Sequence, residues 1–299
     1  VSGSLNEIKK KIKATKNTRK ITKAMQLVAA SKMRVFQKKA VHSREFAWDL
    51  LEILRSNLDD EMQTALMEKR EKGKTVFVLY TSDKGLCGAL NTRILKTLMT
   101  SKKWLDTPES DRLLFTVGKK SYDFATFRGI PVEKSFHSIN EKITAHDALE
   151  IVSEIIKYWN HHKVKDVVMI APHYKNSLIY YPIMKTYLPF SDNMVDEHLN
   201  SVMRIEGGVV DSVDSTEPFI EHEPSQERFI EVMVEQMVTA LFMQSFLELK
   251  ASEYSSRMMA MQNATDAARD MIDRYSLQYN KARQAAITQE IAEIVGGSL

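Results

Sequence analysis

Glycine and proline are confined almost entirely to the middle of this 299-residue chain. Residues 4–72 contain neither, residues 225–295 contain neither, and all seven prolines fall between Pro108 and Pro224. In a helix interior glycine costs about 1 kcal/mol and proline about 3 kcal/mol relative to alanine. Two breaker-free runs of such length predict two very long helices bracketing a compact middle. At about 1.5 Å per residue the second run could reach on the order of 100 Å, wider than a single globular core. The pattern is that of a lever or shaft.

Both runs carry apolar residues at steps of three and four, which places them on one helix face. In the first run the stripe is Ile8, Ile12, Ile21, Met25, Val28, Met33, Phe36, Ala40, Phe46, Leu50, Leu54 and Leu58. Small or hydroxylic residues (Thr15, Thr18, Thr22, Ala29, Ala30, Ser31) are mixed in and permit close helix approach. The last run repeats the pattern through Phe229, Met233, Met237, Ala240, Leu247, Tyr254, Met258, Met261, Ala264 and Ala268, and Ile272, Tyr275, Tyr279, Ala282 and Ala286 extend it. A lone amphipathic helix is marginal in water, so the two are expected to pack against each other, antiparallel. With fraying around Glu61–Lys72, the C-terminal helix is expected to continue past its partner.

The middle alternates β-rich runs at Thr75–Thr81, Arg112–Val117, Ile130–Phe136 and Asp166–Ala171 with helix-like stretches such as Ala145–Trp159. Alternation of this kind predicts βαβ units and a mostly parallel sheet. A fifth run, Leu178–Met184, contains Pro182 and is expected at an edge. The predicted division is a helix over 1–72, an α/β domain over 73–195, an irregular connection over 196–224 and a second helix over 225–299.

The formal net charge of +3 hides an asymmetry. Between Ile8 and Arg44 stand 13 Lys and Arg and no acid, whereas residues 225–295 carry 10 acids and 7 bases. So dense a positive block implies an acidic partner: nucleic acid, an anionic membrane or an acidic protein surface. For nucleic acid the Lys density suits phosphate neutralisation. Against it, no aromatic lies between Val1 and Val35 to stack on bases. No stretch is read as a bilayer span and no apolar signal-peptide core opens the chain. The Met-less start, Val-Ser-Gly-Ser, reads as a processed or added end. The single cysteine, Cys87, excludes an internal disulfide and suits a cytosolic or organelle-matrix setting.

Chemistry-bearing motifs are few. Thr81–Asn91 follows the first strand and opens a helix, the place where open α/β sheets bind ligands. It matches neither of the glycine-rich phosphate-loop patterns, and a tight turn with glycines at special dihedrals is the expectation. Cys87 reads as a small buried thiol. The histidines His137, His146, His161, His162 and His173 lack ligand spacing. No catalytic, cofactor or metal residues are assigned.

Three blocks nevertheless resemble a known family. They are KNTRKITKAMQLVAASKM at Lys16–Met33, SDKGLCGALN at Ser82–Asn91, and the pair SEYSSRMMAMQNATDAA at Ser252–Ala268 and YNKARQAAITQEIAEIVGG at Tyr279–Gly297. In order and spacing they are similar to the gamma subunits of F-type ATP synthases, of bacterial type. The resemblance implies a long antiparallel coiled coil of the terminal helices plus a central Rossmann-like α/β domain. It implies a non-catalytic rotor turning inside a hexamer of alpha and beta subunits, with the epsilon subunit and a c-ring at its foot. It implies a peripheral position at the cytoplasmic face of a bacterial cell membrane, or the matrix or stroma side in an organelle, without membrane insertion. Carried over by position, Lys23, Met25 and Lys32 match the N-terminal segment facing the hexamer. Arg283, Gln284 and Thr288 match a polar patch on the C-terminal helix, and Ile291 and Ile294 belong to the tip. The Gly-Gly-Ser-Leu end is shorter than the family's usual tail, and no paired-cysteine insertion is present. The alternative reading is a nucleic-acid-binding protein with a basic coiled-coil arm.

Overall fold

A computed structural model of the protein describes residues 2–57, 64–161, 164–191 and 225–296. The predicted connection at 196–224, the stripe residue Leu58 and the last three residues lie outside the described residues. The N-terminal run is one helix, α1 (Ser2–Asn57), and the C-terminal run is another, α6 (Gln226–Gly296). Between them come β1 (Lys74–Tyr80), α2 (Leu90–Thr100), α3 (Lys102–Asp106), β2 (Arg112–Val117), α4 (Lys119–Phe127), β3 (Val132–Phe136), α5 (Ala145–His161), β4 (Val164–Tyr174) and β5 (Tyr180–Leu188). The chain forms two compact units: α1 up to Ser31 with α6 from Arg257 onward, and Lys32–Ser256.

In the second unit the strands form one sheet in the order β3-β2-β1-β4-β5. The first four strands run parallel, and β5 closes one edge antiparallel to β4. The βαβ pattern requires this, because helical crossovers return each strand in the same direction. Pro182 sits on the edge strand, opposite Pro172 of β4. Pro172 costs no bond to β1, because the β1–β4 ladder stops at Leu79 and Ile170. Beyond that point β4 pairs with β5 alone, so His173 and Tyr174 extend past the parallel ladder.

Residues paired in register share a face of a parallel sheet, which locates the covering helices. Phe77 of β1 meets Trp104 of α3 at 4.9 Å between rings. Its neighbours point the other way: Tyr80 meets Phe242 of α6, and Phe115, in register with Val78, meets Tyr158 of α5. The sheet is therefore covered on both faces, and its central strand β1 is apolar and buried from Val76 to Tyr80. Ala47, Leu51 and Leu54 of α1 join the same core. By length and composition one window of α6 could cross a membrane, a stretch the sequence reading passed over. Since 61% of it is buried within the protein, its apolarity belongs to the core.

In the first unit α1 and α6 pair antiparallel. Thr22 meets Thr265 through their hydroxyls at 2.8 Å, and Gln26 bonds Gln262, so one number rises as the other falls. Among the described side chains of α1 the buried positions are Thr22, Ala29, Met33, Phe36, Ala40, Ala47, Leu51, Leu54 and Asn57. These recur at heptad spacing. Ile21, Val28 and Phe46, expected in the stripe, are instead exposed. Each lies one residue from the seam, where Thr22, Ala29 or Ala47 takes the buried place. Small side chains let the helices approach closely, and the larger neighbours no longer fit between them.

One glycine sets the crossing at the strand ends. Gly118, just before α4, has φ +96°, and a Cβ there would lie 2.0 Å from the Thr81 carbonyl oxygen. Thr81 is meanwhile fixed by its N–H to Val117 O at 2.7 Å and by accepting from Ser121 N at 2.7 Å. Gly118→Ala is expected to destabilise the chain by about 2 kcal/mol or more in urea denaturation, since dihedral strain and backbone clash combine.

Candidate functional site

The positive charge of α1 lies on its outward side within the first unit. Lys9, Lys10, Lys13 and Lys16 line a shallow groove with Asn6 and Ile12. Lys11 pairs instead with Glu7 at 2.7 Å, and the hydrogen bond and charge of that lysine lower the Glu7 pKa. Lys23 is exposed and donates to Gln26 Oε1 at 3.1 Å, while Met25 is half-buried beside the seam.

On α6, Ala286 is the last buried residue among those described. Arg283, Gln284 and Thr288 are exposed around it, with Thr288 Oγ1 bonded back to Gln284 O at 3.0 Å. Beyond Ala286 the helix carries exposed Ile287, Ile291, Ile294 and Val295, the last two 72% and 60% accessible. The seam thus ends before the helix does, as the unequal lengths of the two runs predict. Because the pairing is antiparallel, Lys23 lies level with the part of α6 near Thr265, some twenty residues before Arg283. At about 1.5 Å per residue this separates the two groups by about 30 Å along the helix. The predicted residues therefore form stations along a helix pair.

Lys32 differs from the others. It lies in the second unit and is engaged by its own chain, with Nζ 2.6 Å from Glu141 Oε2 and 3.3 Å from the Tyr254 hydroxyl. Tyr254 also donates to Glu141 and stacks on Phe36 at 5.5 Å. Burial alone would raise the Glu141 carboxyl, but bonds from Lys32 and Tyr254 and the charges of Lys32 and Lys250 bring it below its usual value.

Sequence reasoning missed a second cluster altogether. Glu248 of α6 is buried, and its carboxylate accepts from four donors. These are Arg44 Nε at 2.9 Å, His173 Nδ1 at 2.8 Å, Tyr174 N at 3.0 Å and Gln244 Nε2 at 3.1 Å. Arg44 further donates to the Tyr174 carbonyl. Burial pushes the Glu248 carboxyl up, but the hydrogen bond and charge of His173, the Arg44 charge and the Gln244 bond together hold it at about 2. The clue in the sequence is a lone acid between Leu247 and Leu249, in the most apolar part of the chain. The nearby turn Ser82–Cys87 is closed on itself: Asn91 bonds Ser82 Oγ at 2.8 Å, Gly88 has φ +59°, and Cys87 is buried.

Two outcomes follow from this carboxylate. A group held below its ordinary value stabilises the fold above the unfolded pKa and loses that contribution as pH falls through the folded one. Stability is therefore expected to fall between pH 4.5 and about 2, by about 3 kcal/mol for this group, in acid titration of the melting temperature. Glu248→Ala leaves Arg44 without its buried counter-charge and is expected to cost about 3–5 kcal/mol in denaturant unfolding.

Comparison with known proteins supplies the remaining observation. A family model described as ATP synthase matches residues 4–299. The ATP synthase gamma chain of Staphylococcus saprophyticus is 33% identical over 99% of each chain. That of Chloroherpeton thalassium is 34% identical over 99% of this chain and 97% of its own. Among solved structures, a chain from the central stalk and c-ring of Tetrahymena thermophila mitochondrial ATP synthase is 25% identical. It covers 82% of this chain and 99% of its own at a TM-score of 0.58. A chain from the rotor of Euglena gracilis mitochondrial ATP synthase shares the fold at a TM-score of 0.66, with 17% identity over 96% of this chain and all of its own.

Proposed function

The chain belongs to the ATP synthase gamma-chain family, and from that premise we propose how its helix pair does the work of a rotor. It is the non-catalytic rotor subunit of the central stalk, and catalysis belongs to the beta subunits. Its partners are the alpha and beta subunits around the helix pair and the c-ring, and the complex places it in the peripheral portion of the synthase. The epsilon subunit and the cytoplasmic face of a bacterial membrane are further parts of this reading, supported by the bacterial relatives. The division into an N-terminal coiled-coil segment over 1–72, whose helix α1 ends at Asn57, a Rossmann-like domain over 73–195, a connection over 196–224 and a C-terminal coiled-coil helix over 225–299 is likewise part of this reading.

The observation that carries the reading is the pair of unbroken helices, one continuing past the end of the seam with exposed isoleucines. Ile291 and Ile294 are assigned to a bearing at the tip, because an apolar end turning in an apolar sleeve makes no directional bonds to break. Lys23, Met25, Arg283, Gln284 and Thr288 are assigned to contacts with the hexamer along the shaft. Lys32 is assigned there too, through the half of its surface that its own chain leaves open.

The energetics separate contacts that transmit torque from contacts that guide the fit. Reversing a 1:99 population at a catalytic site takes about 5.5 kcal/mol of differential free energy. Exposed ion pairs contribute about 0–1 kcal/mol each. The basic face therefore steers assembly and fit, while the bulk and stiffness of the helix pair move the catalytic subunits. The alternative of nucleic-acid binding has no support in the similarities.

Reconstitution with alpha and beta subunits tests the assignment. The chain is expected to complete an active ATPase, and failure to co-assemble would refute the reading. Within the complete synthase, Lys23→Ala is expected to retain most ATP-driven proton pumping. Ala264→Pro breaks α6 inside the paired segment at about 3 kcal/mol or more and is expected to abolish most of it. Normal ATP synthesis by the proline variant would contradict a stiff shaft.

A further inference from the structure

α6 passes as one helix from the second unit into the first, and its last turns in the second unit differ in kind from those before. Up to Leu249 its buried side chains belong mainly to the apolar core. From Glu248 to Ser255 the buried positions include Glu248, Lys250, Ser252, Glu253 and Ser255. Apolar contact is non-directional, so it holds a helix against a sheet while resisting rotation about the helix axis only through shape. Hydrogen bonds to a buried charge are directional and fail once the helix turns by one residue, about 100°.

Glu248 is placed to use that difference. Three of its four donors lie on other elements: Arg44 on α1, and His173 and the Tyr174 amide on the end of β4. The β4 end that supplies them extends beyond the β1 ladder, where no parallel neighbour competes for its amide. Turning α6 would break all three bonds and strand a carboxylate in the interior. Six residues on, Tyr254 provides a second fixed point through Glu141 and Lys32 of α1.

We propose that Arg44, His173 and Glu248 form a torque lock. These positioning residues fix the rotational setting of α1 and α6 in the second unit, so that torque on that unit passes into the helix pair without slip. The inference rests on the rotor reading and goes beyond it by naming where slip is prevented.

The test is the triple variant Arg44→Met, His173→Leu, Glu248→Met in the complete ATP synthase in inverted membrane vesicles. Replacing a whole buried ion cluster with apolar residues of similar volume often leaves stability unchanged, whereas deleting one partner does not. The variant is expected to keep the subunit composition and melting temperature of the complex and to hydrolyse ATP within about twofold of the unsubstituted enzyme. Protons pumped per ATP are expected to fall at least about threefold, with a matching fall in single-molecule stall torque, because both depend on the setting of the helices rather than on folding. An unchanged pumping ratio and torque overturn the lock. Should the triple variant fail to assemble, His173→Leu decides: a fall of about 1.5-fold or more in the ratio supports the lock, and an unchanged ratio overturns it. The unsubstituted chain separates the two ideas. If it cannot couple hydrolysis to pumping, the rotor reading fails and the lock with it. If it couples and the variants match it, the lock alone fails.

Discussion

The seam between α1 and α6 is the constraint from which the rest of the protein follows. Neither helix could persist alone in water, since each leaves an apolar stripe that only the other, or the sheet, covers. In the first unit the buried seam mixes small and hydroxylic residues, Thr22, Ala29, Thr265 and Ala268, with Met261 and Ile272, and in the second it mixes Ala40 and Ala47 with the bulkier Met33, Phe36 and Leu54. The mixture fits two tasks. Close approach of slender helices gives a stiff pair, while bulky side chains tie the same helices into a sheet-centred core.

The second unit carries a mostly parallel sheet with helices on both faces. Its parallel strands end where such folds usually open a crevice, but here α6 passes over that end: a Cβ added at Gly88 would lie 3.9 Å from the Ser256 carbonyl. Ser82, Cys87 and Asn91 bond one another across the turn. The turn thus receives the helix closely, and Gly88 at φ +59° gives it the shape to do so. Around the same helix the packing changes from apolar to ionic, with buried Glu248 and half-buried Glu141 each held below the ordinary carboxylate value. Buried ion clusters add little net stability compared with apolar packing, and their best-attested use is to specify one arrangement among several.

Much of this architecture was legible in the sequence, for reasons that can be named. The distribution of glycine and proline marked both long helices, and β-rich runs between helical stretches marked the parallel strands and the proline-bearing edge strand. The positions in the seam were less legible. Apolar character favoured Ile21, Val28 and Phe46, whereas close approach favours the smaller residue beside each. Of the ionic cluster only the acid between Leu247 and Leu249 left a trace in the sequence; its partners were not legible, because Arg44, His173 and Glu248 are brought together only by the fold and share no local spacing. For the same reason the basic run concealed that Lys32 already has a carboxylate partner, Glu141, more than a hundred residues away.

Rotation itself is the most direct test. With the alpha and beta subunits fixed to a surface and a probe attached to the exposed side chain of Phe127, substituted by cysteine in a Cys87→Ser background, ATP should drive continuous turning in one direction. A probe that stays still while ATP is hydrolysed at the normal rate would contradict the account.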